Sequence, residues 1–280
     1  MRVLLLSMPD SFEHTPALTM RMPNGALASL AGNLGPAHHA AVADLILVQR
    51  AVVPTVERLM REHDPDVVGL SVMTFQRRTA LRLIRLIRAI KPTVTVVAGG
   101  YDPSLAPEAY ADPDSGVDYI VRGEGDITIR EVVRALESGS DLGNVQGISF
   151  RQGASFARTA DRHVSNLGDE VRPPKRAARL LTGYTFLGRQ IDVIETSRGC
   201  TYDCSFCSII EMRGRNFHVW PIERVIEDIR TAVNGGFALG NPQFIESLER
   251  ATSQRACPGT GGRPRKGRSE KPGSDPGFGF

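Results

Sequence analysis

Four cysteines in 280 residues, three of them inside one eight-residue window, exclude a disulfide scaffold, whose cysteines are spread along the chain. No stretch approaches the ~20 uninterrupted apolar residues of a membrane helix. The opening run, residues 1–9, is too short for a signal peptide and ends at Pro9 rather than at a small-residue cleavage site. It reads as a first buried strand. Net charge is only +3, which excludes a nucleic-acid partner unless the charge is concentrated, and it concentrates in the tail. Gly and Pro follow no short period, so collagen-like and mucin-like chains are excluded. The 41% hydrophobic content suffices to bury a core of one or two domains. The expected compartment is a reducing one, the cytoplasm.

The first half alternates apolar runs with helical periodicity. Residues 3–7, 42–47, 66–71, 93–98 and 117–121 are continuous apolar runs of the kind that form strands buried on both faces. Between them, residues 56–61, 79–91 and 126–136 have helical spacing. In residues 79–91 Leu81, Ile84 and Ile87 share a face opposite Arg82, Arg85 and Arg88, which reads as a solvated helix face. Pro92 ends that helix. This alternation predicts a doubly wound, flavodoxin-like (Rossmann-like) α/β domain with a parallel sheet and right-handed crossovers. Residues 148–188 have weak periodicity and pass through Arg172-Pro173-Pro174-Lys175, a connection with one small hairpin. Residues 190–195 read as a new first strand and 221–233 as a helix with Pro221 at its start. From about residue 254 onward the chain is basic, Gly/Pro-rich and expected to be disordered. The expected organisation is 1–145, 146–188, 189–236 and 237–280.

The chemistry is concentrated in Cys200-Thr201-Tyr202-Asp203-Cys204-Ser205-Phe206-Cys207, a C-x3-C-x2-C cluster. Three thiolates on one tight loop can hold three corners of a cubane iron–sulfur cluster, leaving the fourth iron open to substrate. The alternatives are a zinc site with His218 as fourth ligand, or cysteines used as small hydrophobes; zinc usually needs a second knuckle or a His pair. Cys257 lies in the tail and is not counted as a ligand.

The segment Glu195-Thr196-Ser197-Arg198-Gly199-Cys200 through Cys207, with an aromatic before the third cysteine, resembles the radical S-adenosylmethionine (SAM) enzymes. The sheet domain before it resembles the cobalamin-binding domain of the B12-dependent branch. The resemblance covers roughly residues 1–235. It implies a [4Fe-4S] cluster on Cys200, Cys204 and Cys207 that chelates SAM and cleaves it to a 5′-deoxyadenosyl radical. It also implies cobalamin, methyl transfer or rearrangement at an unactivated carbon of a small-molecule or lipid-like substrate, and an electron donor such as flavodoxin or ferredoxin. Phe206 would pack near the SAM adenine.

In open parallel sheets the ligand sits outside the carboxyl ends of the strands. The residues expected to meet cobalamin are therefore Ser7, Ser71, Met73, Thr74, Gly99, Gly100, Gly123, Glu124 and Gly125. The resemblance matches a Ser/Thr-rich turn after the third strand, a Gly-Gly after the fourth, and a Gly-Glu-Gly-Glu turn after the fifth. The last reads Gly123-Glu124-Gly125-Asp126 here. The Asp-x-His-x-x-Gly signature of histidine-ligated cobalamin is missing, and His38 and His39 read as surface or turn residues. Cobalamin is thus expected base-off, with no protein histidine on cobalt. After residue 190 only about a third of a radical SAM barrel of roughly 200 residues is recognisable. A shifted reading frame near Gly236 is the preferred explanation, a genuinely shortened chain the other. A non-catalytic cobalamin-binding fragment and a zinc protein are the competing functions.

Overall fold

The computed structural model describes residues 1–10, 20–152, 155–163, 166–233 and 250. The predicted tail, Cys257 and the stretch around Gly236 lie outside the described residues. Met1–Asp228 form one compact unit and Ile229–Phe280 a second.

The five apolar runs become β1 (Arg2–Ser7), β2 (His39–Asp44), β3 (Val67–Ser71), β4 (Thr95–Gly99) and β5 (Tyr119–Val121). They pair in parallel in the order β2-β1-β3-β4-β5, the flavodoxin-like arrangement. The hairpin of β6 (Ile148–Gln152) and β7 (Ser155–Arg158) continues the same sheet antiparallel, taking in residues expected to belong to a connection. The run 42–47 starts earlier and ends sooner than expected. In-register pairing of Ser7 with Asp44 ends the ladder there, and Leu45–Val48 turn as a 3-10 helix.

Both faces are covered, which is why the strands are apolar at every position. Leu4, Leu6, Val68, Leu70, Val96 and Ile120 pack under α2 (Val52–His63) and α3 (Arg77–Ile90). Val3, Leu5, Val42, Val97 and Val121 pack under α1 (Gly25–Asn33) and α5 (Gly125–Ser138). Helix α1 went unpredicted, although Asn24 caps it and Leu27, Leu30, Ala31 and Leu34 have helical spacing. A short helix α4 (Tyr101–Leu105) follows β4.

Arg82 and Arg85 are exposed as expected, but Arg88 is not a solvated residue. Its guanidinium donates to the Gly116, Pro92 and Val94 carbonyls and to Asp118 at 2.5 Å, tying α3 to the entry of β5. His38 lies in a turn but is buried, not on the surface, with the chain's terminal amine 3.3 Å from Nδ1 and Glu137 3.7 Å from Nε2.

Residues 190–195 do not form the expected strand. Only Arg189–Gln190 pair, with Thr185–Phe186, which also pair with Met20–Arg21. Side chains capture the backbone instead: Arg176 donates to the Val193 carbonyl at 2.8 Å and Asp192 accepts from the Val193 amide at 2.7 Å. Asp192 is itself held by Arg176 and Arg179. The strand forms later, as β8 (Ser197–Cys200), antiparallel to β9 (Asn216–Val219). Helix α6 (Ile209–Arg213) lies between them and α7 (Ile222–Val233) follows. Trp220 and Val225 pack with Ile127, Leu167 and Val171, seating this hairpin against α5.

At the end of β2 Asp44 is fully buried and accepts from the Tyr184 hydroxyl at 2.5 Å. Burial pushes its carboxyl above the ordinary 3.8, with hydrogen bonds from Tyr184, Ser7 and Asn24 opposing the rise. The folded chain therefore holds this proton more tightly than the unfolded one. The resulting stabilisation is complete below pH 3.8 and is lost as pH rises through the raised folded value. Asp44→Asn is expected to raise the melting temperature at pH 7, with the gain shrinking as pH falls toward 4. A gain that is the same at both pH values would contradict this.

Candidate functional site

Parallel pairing lines up the carboxyl ends of the strands, because Ser7 pairs with Asp44 and Ser71, and Ser71 with Gly99. On the α1/α5 side of this edge a cleft of about 250 Å³ runs down beside the sheet. Leu5, Gly69 and Val97 line its depth, Leu27 and Leu30 one wall, and Met212 and Arg213 part of its rim. It opens beside β1 and β3, where the strand order reverses and doubly wound sheets bind ligands.

Of the residues expected to meet a cofactor, Ser71, Met73, Gly99, Gly100, Gly123, Glu124 and Gly125 line this one cleft. Ser7, Thr74 and Phe206 do not. Ser7 is buried and hydrogen-bonds Asp44, Thr74 is exposed, and Phe206 is 90% exposed on the cysteine loop. The glycines have a steric reason. Gly100 has φ +98°, and a Cβ there would lie 2.8 Å from the Val72 backbone. A Cβ on Gly69 would lie 2.7 Å from the Leu5 side chain. That glycine was missed, although a glycine inside an apolar strand signals close approach. Asn24 was also missed; it caps α1 and reaches the Ser71 hydroxyl at 3.4 Å.

His39 begins β2 at the opposite, amino edge of the sheet, five residues or roughly 16 Å from the carboxyl edge. His38 is beside it.

Cys200 ends β8, and Cys204 and Cys207 follow on a turn closed by the Cys207 amide donating to the Cys204 carbonyl at 3.0 Å. All three are free thiols, Cys204 exposed and the others half-buried. Among the described residues no three His, Cys, Asp or Glu side chains converge at metal-binding distance, so Cys200, Cys204 and Cys207 are near in sequence but not gathered at one point, and His218 does not join them. Gly199 (φ +88°) faces the Asn216 carbonyl 2.1 Å from where a Cβ would be, so only glycine permits the β8–β9 pairing just before Cys200.

The strand carrying the cysteines is held by Arg198, only 6% exposed. It donates to Asp126 at 2.5 Å, Glu195 at 2.8 Å and the Ser29 hydroxyl at 3.1 Å, with Glu124 at 3.5 Å. Burial lowers the proton affinity of the guanidinium, but Asp126, Glu195 and Glu124 outweigh it and hold the group above the ordinary arginine value. Glu124 and Asp126, quoted from the sequence as part of a ligand-facing turn, therefore also anchor the cysteine strand. On the far side Met212 and Arg213 of α6, just past Cys207, close over Gly123 and Glu124. The cleft and the cysteine loop thus share walls.

Residues 19–133 match the B12 binding domain family. An uncharacterized methyltransferase of Pyrococcus horikoshii is 26% identical over 256 residues, covering 91% of this chain and 55% of the relative. The cobalamin-dependent radical SAM methyltransferase TokK of Streptomyces tokunonensis is 29% identical over 151 residues, 51% of this chain and 22% of TokK. The solved structure of the cobalamin-dependent SAM radical enzyme OxsB with aqua-cobalamin and SAM bound superposes with a TM-score of 0.66 at 21% identity, over 84% of this chain and 32% of that one. The chain spans about half the length of the first of these relatives and less of the others. A B12 binding domain match over residues 19–133, followed by this cysteine segment, makes the chain similar to cobalamin-dependent radical SAM proteins.

Proposed function

We propose that the cleft takes the nucleotide tail of base-off cobalamin and that the cysteine loop takes a [4Fe-4S] cluster whose open iron binds SAM. The proposed activity is methyl transfer or rearrangement at an unactivated carbon of a small-molecule or lipid-like substrate, with an external low-potential electron donor. The observation carrying this reading is the shared wall: Met212 and Arg213, which follow the cysteines, line the cleft at the strand-order reversal, and Glu124 of that lining faces Arg198, which precedes them.

The residues suit both groups. The glycine-lined carboxyl edge admits a large planar ligand close to backbone, and the cleft floor of Leu5, Val97 and Ile129 suits an apolar ring. Three free cysteines within one eight-residue loop supply the three sulfur ligands that a cluster with one open iron needs once the loop closes round it. The chemistry these groups supply when bound is reductive cleavage of the SAM sulfonium and, through cobalamin, group transfer.

The chain's own residues bind and orient. Asn24 and Ser71 offer polar atoms at the mouth of the cleft. Phe206, exposed between two cysteines, supplies an apolar face for an adenine. Arg198 fixes the strand on which Cys200 sits. Neither His38 nor His39 serves as a cobalt ligand in this reading, since both lie at the other edge. No helix among the described residues is long and apolar enough to cross a membrane.

Gly69→Val puts a branched side chain into the cleft. Overpacking of this kind costs about 1–3 kcal/mol, so cobalamin affinity is expected to fall roughly ten- to a hundredfold in equilibrium dialysis. Unchanged affinity would remove the cleft from the cobalamin site. His39→Ala is expected to leave the visible bands of bound cobalamin unmoved, and a clear shift would show that a histidine reaches cobalt. Anaerobically reconstituted chain is expected to hold ~4 iron and ~4 sulfide, and Cys204→Ala to lose them while keeping cobalamin. Full iron in that variant, or zinc in the wild type, would sink the cluster assignment.

A further inference from the structure

Glu124 touches the cleft and both stems of the cysteine loop. Its side chain is 5% exposed, and both carboxylate oxygens are buried with no hydrogen-bond donor. Buried acceptors are rarely left so, because each forfeits the donors water would supply. Two cations balance its charge: Arg198 Nη1 lies 3.5 Å from one oxygen and Arg213 Nη1 3.7 Å from the other. Neither completes it. The Arg198 guanidinium is already engaged by Asp126, Glu195 and Ser29, and Arg213 Nε is itself buried without a partner. Glu124 and Arg213 both line the cleft.

We infer that Glu124 couples occupancy of the cleft to the order of the cysteine loop, so that cobalamin and the cluster strengthen each other's binding. The inference rests on the function proposed above. A ligand seated in the cleft would pack against Glu124 and Arg213, which both line it, and so restrict the carboxylate between its two arginines. The charge would still hold Arg198, two residues before Cys200, and Arg213, six residues after Cys207. A carboxylate fixed by the ligand then fixes both stems. Binding free energies are reciprocal, so a cluster that orders the stems must raise affinity in the cleft by the same factor.

The test is equilibrium dialysis of hydroxocobalamin, under anaerobic conditions, against the full chain with and without reconstituted cluster. For the wild type the cluster is expected to lower the Kd by about fivefold or more, the usual lower bound of such coupling. For Glu124→Gln, which keeps the shape but removes the charge holding the two arginines, the Kd with and without cluster is expected to be equal. Arg213→Gln, at a partly exposed position, is expected to reduce the ratio and guards against a Glu124 variant that does not fold. A wild-type ratio near one, or a wild-type ratio retained in either variant, would overturn the coupling. A wild type that takes up no cobalamin, or no iron, would overturn the proposed function itself and the coupling with it.

Discussion

The buried ion pair between Arg198 and Asp126 joins two parts of the chain that are 72 residues apart. Asp126 stands in the first turn of α5, where the helix dipole favours a negative charge, and it also accepts from the Ser29 hydroxyl of α1 at 2.5 Å. Arg198 brings the strand that ends in Cys200. Such a pair adds little net stability over an apolar core, because both charges lose water. Its removal one partner at a time is costly, and its geometry is specific. Here that geometry ties the strand ending in Cys200 to the first turn of α5. Trp220 adds to the clamp: its indole donates to Glu195 at 3.3 Å, and the Arg224 guanidinium stacks 4.0 Å from its ring.

The sheet supplies the other half of the site through an economy of side chains. At its carboxyl edge the chain uses Ser71, Gly99, Gly100, Gly123 and Gly125, so the cleft there is lined by backbone rather than bulk. Below that edge a single glycine in β3 deepens the cleft between the sheet and α1. A doubly wound sheet has glycines at its turns for folding reasons alone. Gly69 sits inside a strand instead, where the absence of a Cβ makes room for the Leu5 side chain that lines the cleft beside it.

Much of this was legible in the residues. Continuous apolar runs gave all five parallel strands because burial on both faces leaves no polar alternation to confuse the reading. The three glycine and serine turns were legible because their positions follow from where strands end. Arg198 was quoted only as a motif letter, since its meaning lies in Asp126 and Ser29, which no local pattern connects to it. Residues 190–195 misled for a related reason. Ile191 and Val193 alternate like a strand, but Arg176 and Asp192 satisfy the Val193 backbone from the side. Helix α1 was missed because its apolar positions are mostly small, which weakens the contrast on which periodicity depends.

The central claim is that one ligand in the cleft is walled by both the sheet edge and the cysteine segment. Hydrogen–deuterium exchange with and without hydroxocobalamin measures this directly. Protection is predicted in residues 99–101 and 121–125 and also in residues 197–200 and 209–213. Protection confined to the sheet edge, with the cysteine segment exchanging as before, would contradict it.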